Sequence, residues 1–175
     1  MELLVMHDPF LTRITNIRNK TEFSTRYETR KYNGNNKTDW WTDKFSLAEL
    51  KTLGIKQAQA PGRLTIFDYQ FTFPLLSDVI EMVIAFNKQH KGKRNPDNRL
   101  AGILIEAKDS QMYRELYGNR EIGKDILDLL KKYDIETIAK AEKLAPIYLH
   151  SFDYGTVKYW GENTELPNNF LAFGG

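Results

Sequence analysis

Three short apolar runs, "GILIE" (102–106), "PIYLH" (146–150) and "NNFLAF" (168–173), restrict this chain more than any other feature. A fourth, "LLVM" (3–6), lies near the start. Their apolar residues follow one another without strict alternation, as in strands covered on both faces of a parallel sheet. Helical patterns lie between them. "SDVIEMVIAFNKQH" (77–90) precedes the first run, and "SQMYRELYG" begins at Ser110 and stops at Gly118. "EIGKDILDLLKKYD" carries Ile122, Ile126, Leu129 and Leu130 on one stripe, and "IETIAKAEKLA" ends at Pro146. Strands alternating with helices predict an α/β domain with right-handed crossovers.

The later strands start about 20 to 45 residues apart, a spacing compatible with the βα repeats of a (β/α)₈ barrel. The gap from His7 to Gly102 is far longer, which predicts an inserted subdomain over residues 10–73. That segment opens with polar and aromatic residues, "RYETRKYNGNNKTDWW", with turn chemistry at Asn33–Gly34. It then holds a short helix, "FSLAELKTL", opened by the capping box Ser46-x-x-Glu49. A full barrel needs roughly 200 residues or more. With 175 residues and four visible strands, residues 1–175 read as one partial domain, an incomplete TIM-type barrel interrupted by its insertion.

Composition removes several alternatives. The chain has no cysteine, so disulfides and thiolate zinc sites are excluded. Its net charge of +2 is too small to imply a polyanionic partner. "TRITNIRNKTEFSTRYETRKY" interleaves basic and aromatic residues, but its charges are mixed and no nucleic-acid motif accompanies them. No nucleic-acid partner is expected. No apolar run reaches the ~18 residues of a membrane span. "MELLVMHDPF" lacks the basic start of a signal peptide; any such leader would lie upstream of Met1. Oligomeric state and compartment are not written in the sequence.

In a barrel of this type, function collects where strands end. Those tips offer His7 and Asp8, then Glu106 and Lys108, then His150, Ser151, Phe152 and Asp153. Side chains alternate along a strand, so Glu106 shares a face with Lys108, and His150 with Phe152. A carboxylate beside an ammonium suits a site for a divalent cation and an anionic substrate, since carboxylates ligate hard cations and ammonium pairs with phosphate. Each group also has a plainer reading. A lone strand-end histidine is more often a hydrogen-bonded structural group. Glu106 with Lys108 can be a surface ion pair worth under ~1 kcal/mol. His90 sits in a solvated basic loop, and Trp40 with Trp41 reads as core of the insertion.

These segments, in this order, resemble the glycerophosphodiester phosphodiesterase family. "LLVMHDPFLTRITN" is similar to the stretch in which a strand delivers a His-Asp pair, and "DWWTDKFSLAELKTLGIKQ" to an element of members with an inserted subdomain. "FTFPLLSDVIEMV", "GILIEAKDSQMY", "APIYLHSFD" and "ELPNNFLAF" follow in family order. The resemblance implies hydrolysis of small glycerophosphodiesters to sn-glycerol 3-phosphate and an alcohol, within lipid and glycerol metabolism, on a (β/α)₈ barrel with a Ca²⁺ or Mg²⁺ ion. It implies His7 as general acid, Glu106 as metal ligand and Lys108 as phosphate contact. His150, where the family usually has Gln, and Phe152 would bind substrate.

The family's His-Arg pair and Glu-x-Asp, which belong to its first two strands, have no counterpart here. The resemblance runs from the third strand to the sixth. It therefore implies an incomplete metal site, and an isolated chain that is inactive and poorly stable. The competing expectation is a binding module for a phosphate, a phospholipid headgroup or a protein, which keeps Lys108 and has no use for His7.

Overall fold

The computed structural model describes residues 2–58, 62–90, 99–118 and 120–171. The chain forms two compact units, Glu2–Leu75 and Leu76–Gly175.

In the first unit, 3-10 turns at Ile17–Asn19 and Thr21–Arg26 lead into an antiparallel hairpin of β1 (Tyr27–Tyr32) and β2 (Asn35–Trp40). Asn33 and Gly34 both adopt positive φ, 48° and 77°. That is the backbone a two-residue type I′ turn demands, so the Asn-Gly dipeptide sets the register. The hairpin delivers both tryptophans inward. The Trp40 indole donates to the Phe23 carbonyl at 2.7 Å and the Trp41 indole to that of Glu28 at 3.1 Å. Trp40 joins Leu11, Ile17, Phe23, Phe45, Leu50, Leu53 and Phe73 in the core.

The helix α1 (Leu47–Leu50) forms because Ser46 and Glu49 complete the capping box reciprocally. Glu49 also takes a two-pronged ion pair from Arg26, at 2.9 and 2.6 Å. The Arg26 guanidinium lies over the Phe45 ring, 4.9 Å from its centroid. One carboxylate thus ties helix start, guanidinium and aromatic core together.

Residues 3–6 do not form the expected parallel strand. Leu4 makes an isolated antiparallel bridge with Leu75, and Val5 N–H donates to the Pro74 carbonyl at 3.0 Å. Leu4 and Met6 pack against the core of their own unit instead. An apolar run that finds its partner within its own unit needs no sheet.

The second unit runs α2 (Leu76–Gln89), β3 (Ile103–Glu106), α3 (Ser110–Tyr117), α4 (Ile122–Lys132), α5 (Ile138–Leu144), β4 (Ile147–Ser151), α6 (Tyr154–Asn163) and β5 (Asn168–Phe170). The three strands form a parallel sheet in the order β3-β4-β5. The α/β reading and three of its strands therefore stand; the end of "NNFLAF", at 172–173, lies outside the described residues. The expected cover on both faces does not stand. Ile103, Ile105, Ile147 and Leu149 are buried, while Leu104 and Tyr148 between them are 66% and 50% exposed. One face of the sheet is open.

The buried stripe of α4 is also rotated from the sequence expectation. Gly123, Ile126, Leu127 and Leu130 face inward, and Leu129 is only half-buried. Gly123 is the reason. Without a side chain it lets Trp160 approach, and the indole donates to the Gly123 carbonyl at 3.1 Å. Nearby, Arg114 of α3 donates to Glu121 at 3.0 Å and to Asp153 at 2.6 Å, the residues that cap α4 and α6. α3 stops at Gly118, whose φ of 61° is the left-handed cap that favours glycine.

Two measurements check these contacts. A Cβ on Gly123 would stand 2.8 Å from the Trp160 indole nitrogen and 3.1 Å from Thr156 Cγ2. Gly123→Ala should therefore destabilise the chain in urea by about 1–3 kcal/mol, despite the better helix propensity of alanine. The second concerns acid. The Arg26 guanidinium, then the Ser46 N–H, hold the Glu49 carboxyl at about 2, below its ordinary 4.5. A carboxyl that is harder to protonate when folded stabilises fully above pH 4.5, and the gain is lost as pH falls toward 2. Thermal melts across that window should show Arg26→Ala flattening the decline. Parallel profiles for the two proteins would show the pair to be inert.

Candidate active site

The carboxyl ends of β3 and β4 place four of the sequence-predicted residues on one side of the sheet. Glu106 and His150 are register partners on adjacent strands, on the open face that also carries Leu104 and Tyr148. Adjacent parallel strands lie ~4.8 Å apart, which makes the two side chains direct neighbours. Asn169 of β5 pairs with His150 and extends the row. Lys108, two residues past Glu106, brings its Nζ to 3.5 Å from Glu106 Oε1. The His150 and Phe152 rings lie with centroids 6.5 Å apart.

The opposite face holds this end rigid. Ala107 N–H donates to the His150 carbonyl at 3.0 Å, and buried Ser151 Oγ donates to the Ala107 carbonyl at 2.6 Å. Ser151 is thus spent on the backbone. So is Asp153: it caps α6 at Thr156 N–H and accepts from Arg114. Burial pushes the Asp153 carboxyl up, but Arg114 and Thr156 outweigh it and hold the group below its ordinary value. Neither residue is left for chemistry.

Glu106 differs. Its Oε1 is buried and, Lys108 aside, receives no hydrogen bond. A buried carboxylate oxygen held only by a long ion pair keeps capacity to accept, and a hard cation could use it. A Ca²⁺ or Mg²⁺ ion needs six or more oxygens, however. Among the described residues no group of three His, Asp or Glu gathers as a metal site. The residues present fit one ligand of such a site and do not fit the whole.

His7 belongs to the first unit. Its side chain is 66% exposed, and Nδ1 lies 2.6 Å from Oδ1 of the buried Asp8. Arg13 donates from Nε to Asp8 Oδ2 at 2.5 Å, and its Nη2 lies 3.3 Å from His7 Nδ1. The local fold explains the cluster. Pro9 follows Asp8 and biases it toward extended backbone. The Pro9 carbonyl accepts from Thr42 N–H and Oγ1, both at 3.0 Å. Leu11 N–H then donates to Trp40, and the turn closed by Thr15 N–H on the Leu11 carbonyl folds Arg13 back over Asp8. Burial pushes the Asp8 carboxyl up; Arg13 and His7 together hold it below its ordinary value. Sequence reasoning placed Asp8 at the tip without a partner and passed over Arg13. The available signal was an acid and a guanidinium five positions apart across a turn.

The chain is 29% identical, over 97% of its length, to glycerophosphodiester phosphodiesterase GDPD6 of Arabidopsis thaliana, of which it covers 44%. It is 26% identical, over 89% of its length, to a glycerophosphodiester phosphodiesterase of Haemophilus influenzae, of which it covers 39%. The chain thus spans less than half of either relative. The profile of the glycerophosphoryl diester phosphodiesterase family matches residues 1–174, and the chain belongs to that family.

Proposed function

We propose that this chain supplies part of the catalytic site of an enzyme that hydrolyses glycerophosphodiesters to sn-glycerol 3-phosphate and an alcohol. The observation that carries the proposal is the open sheet face, with the Glu106–Lys108 ion pair at the carboxyl end of β3. Exposed Leu104 and Tyr148 below them are what the interior of an unclosed barrel would present. We read β3, β4 and β5 as strands of a (β/α)₈ barrel, and residues 10–73 as an insertion within that domain.

The roles follow from chemistry. Cleaving the phosphodiester by water expels an alkoxide, which needs a proton, and the outer nitrogen of His7 is the donor. The Lys108 ammonium pairs with the phosphate's non-bridging oxygens. His150 and Phe152 bind substrate, one by hydrogen bonding and the other as an apolar wall. Glu106 would be one carboxylate toward a divalent cation, Ca²⁺ or Mg²⁺, which when bound would supply Lewis acidity at the phosphoryl group. Among the described residues no helix is long and apolar enough to cross a membrane.

A second reading, a module that binds a phosphate or headgroup without chemistry, is favoured by the lack of a group of three metal-ligating side chains among the described residues. Both readings make these 175 residues inactive when isolated, and they separate once the site is completed. Release of sn-glycerol 3-phosphate from glycerophosphocholine by the purified chain should not exceed the blank with either cation. Placed in the Haemophilus influenzae relative in place of the segment it matches, the chain should support turnover. His7→Ala in that graft should lower kcat by about 10²–10⁴-fold with KM little changed. A folded graft that binds glycerophosphocholine but never cleaves it would favour the binding module.

A further inference from the structure

The reading above leaves Asp8 and Arg13 without a function, although both bear directly on His7. We infer that Asp8, held by Arg13, is the positioning residue of this enzyme: it fixes the His7 ring with its proton on Nδ1 and leaves Nε2 as the nitrogen that works. The inference rests on the proposed role of His7 and adds to it which nitrogen works and what sets that choice.

Two groups approach His7 Nδ1, the Asp8 carboxylate at 2.6 Å and the Arg13 guanidinium, a donor only, at 3.3 Å, and the shorter contact sets the tautomer. An ionised carboxylate only accepts, so the 2.6 Å contact with Asp8 Oδ1 requires a proton on His7 Nδ1. Nε2 then carries the free lone pair of the neutral ring, or the transferable proton of the charged one. No other group claims it among the described residues, and the side chain is exposed. Asp8 is buried and cannot remain charged without partners. Its second oxygen has one in Arg13 Nε, so the acid is pinned at both oxygens and the ring inherits a single orientation. A histidine on an exposed tip would otherwise sample several rotamers and both tautomers, and only a fraction would be competent to protonate a leaving group. Arg13 acts on Asp8 through its Nε.

The tautomer is measurable without turnover. ¹⁵N-edited NMR of the 175-residue chain, at a pH where the ring is neutral and with His7→Gln to assign the signal, should show Nδ1 protonated and Nε2 bare. Asp8→Asn should lose that preference. In the completed graft, Asp8→Asn should lower kcat about tenfold or more while KM moves less than about threefold, with partial recovery in Asp8→Glu. A wild-type ring protonated on Nε2, or one unchanged by Asp8→Asn, overturns the inference. A ring held as described in a graft that stays active as His7→Ala instead overturns the catalytic role of His7, and leaves the hold of Asp8 on the ring intact.

Discussion

The register between β3 and β4 decides which residues this sheet gives to its core and which it gives to chemistry. With Ile103 opposite Ile147 and Glu106 opposite His150, every apolar residue on the helix side meets another. A slip of one residue would turn Glu106 inward and Ile105 out, at a cost of roughly several kcal/mol for the buried carboxylate alone. The register is pinned at both ends. At the start, Ile103 N–H donates to the Pro146 carbonyl at 2.8 Å, and Gly102 permits the approach, since a Cβ there would stand 2.9 Å from that oxygen. At the finish, Ser151 Oγ closes on the Ala107 carbonyl.

The first unit solves a different problem, since it buries charge as well as apolar surface. Asp39 accepts from Thr12 N–H and Oγ1 and from Trp40 N–H, at 3.0, 2.6 and 2.8 Å. Arg30 pairs with Asp43 and lies 5.0 Å over the Trp41 ring. Satisfied in this way, buried polar groups specify one arrangement of a small core that apolar contacts alone would leave loose. The stretch around His7 is held by the same device, with Thr42 on the Pro9 carbonyl and Arg13 on Asp8.

What could be read in the sequence was whatever is decided locally. Asn33–Gly34 dictates its turn by backbone sterics, Ser46 and Glu49 cap their helix across three residues, and "ILIE" and "IYLH" carry enough β-branched and aromatic character to be strands. Misreadings arose where a partner far along the chain decides. "LLVM" has strand composition, yet its neighbours are Pro74 and Leu75. The inward face of α4 turns on Gly123, a residue without a side chain to signal burial. Apolar Leu104 and Tyr148 looked like core and are exposed. The same rule divides the site. Glu106 with Lys108, and His150 with Phe152, follow from strand alternation, whereas the link from Arg13 to Asp8 depends on a turn whose closure composition does not reveal.

The Arg114 guanidinium has a consequence for how the second unit can move. It sits on the helix that follows β3, and grips the acids that start α4 and α6, the last of which follows β4. The segments leaving Glu106 and His150 are therefore yoked through one planar cation. Lifting α3 alone would break two charge-assisted bonds at once, and lifting α6 alone would break its bond to Asp153. The two strand ends therefore present themselves to a ligand as a single fixed edge.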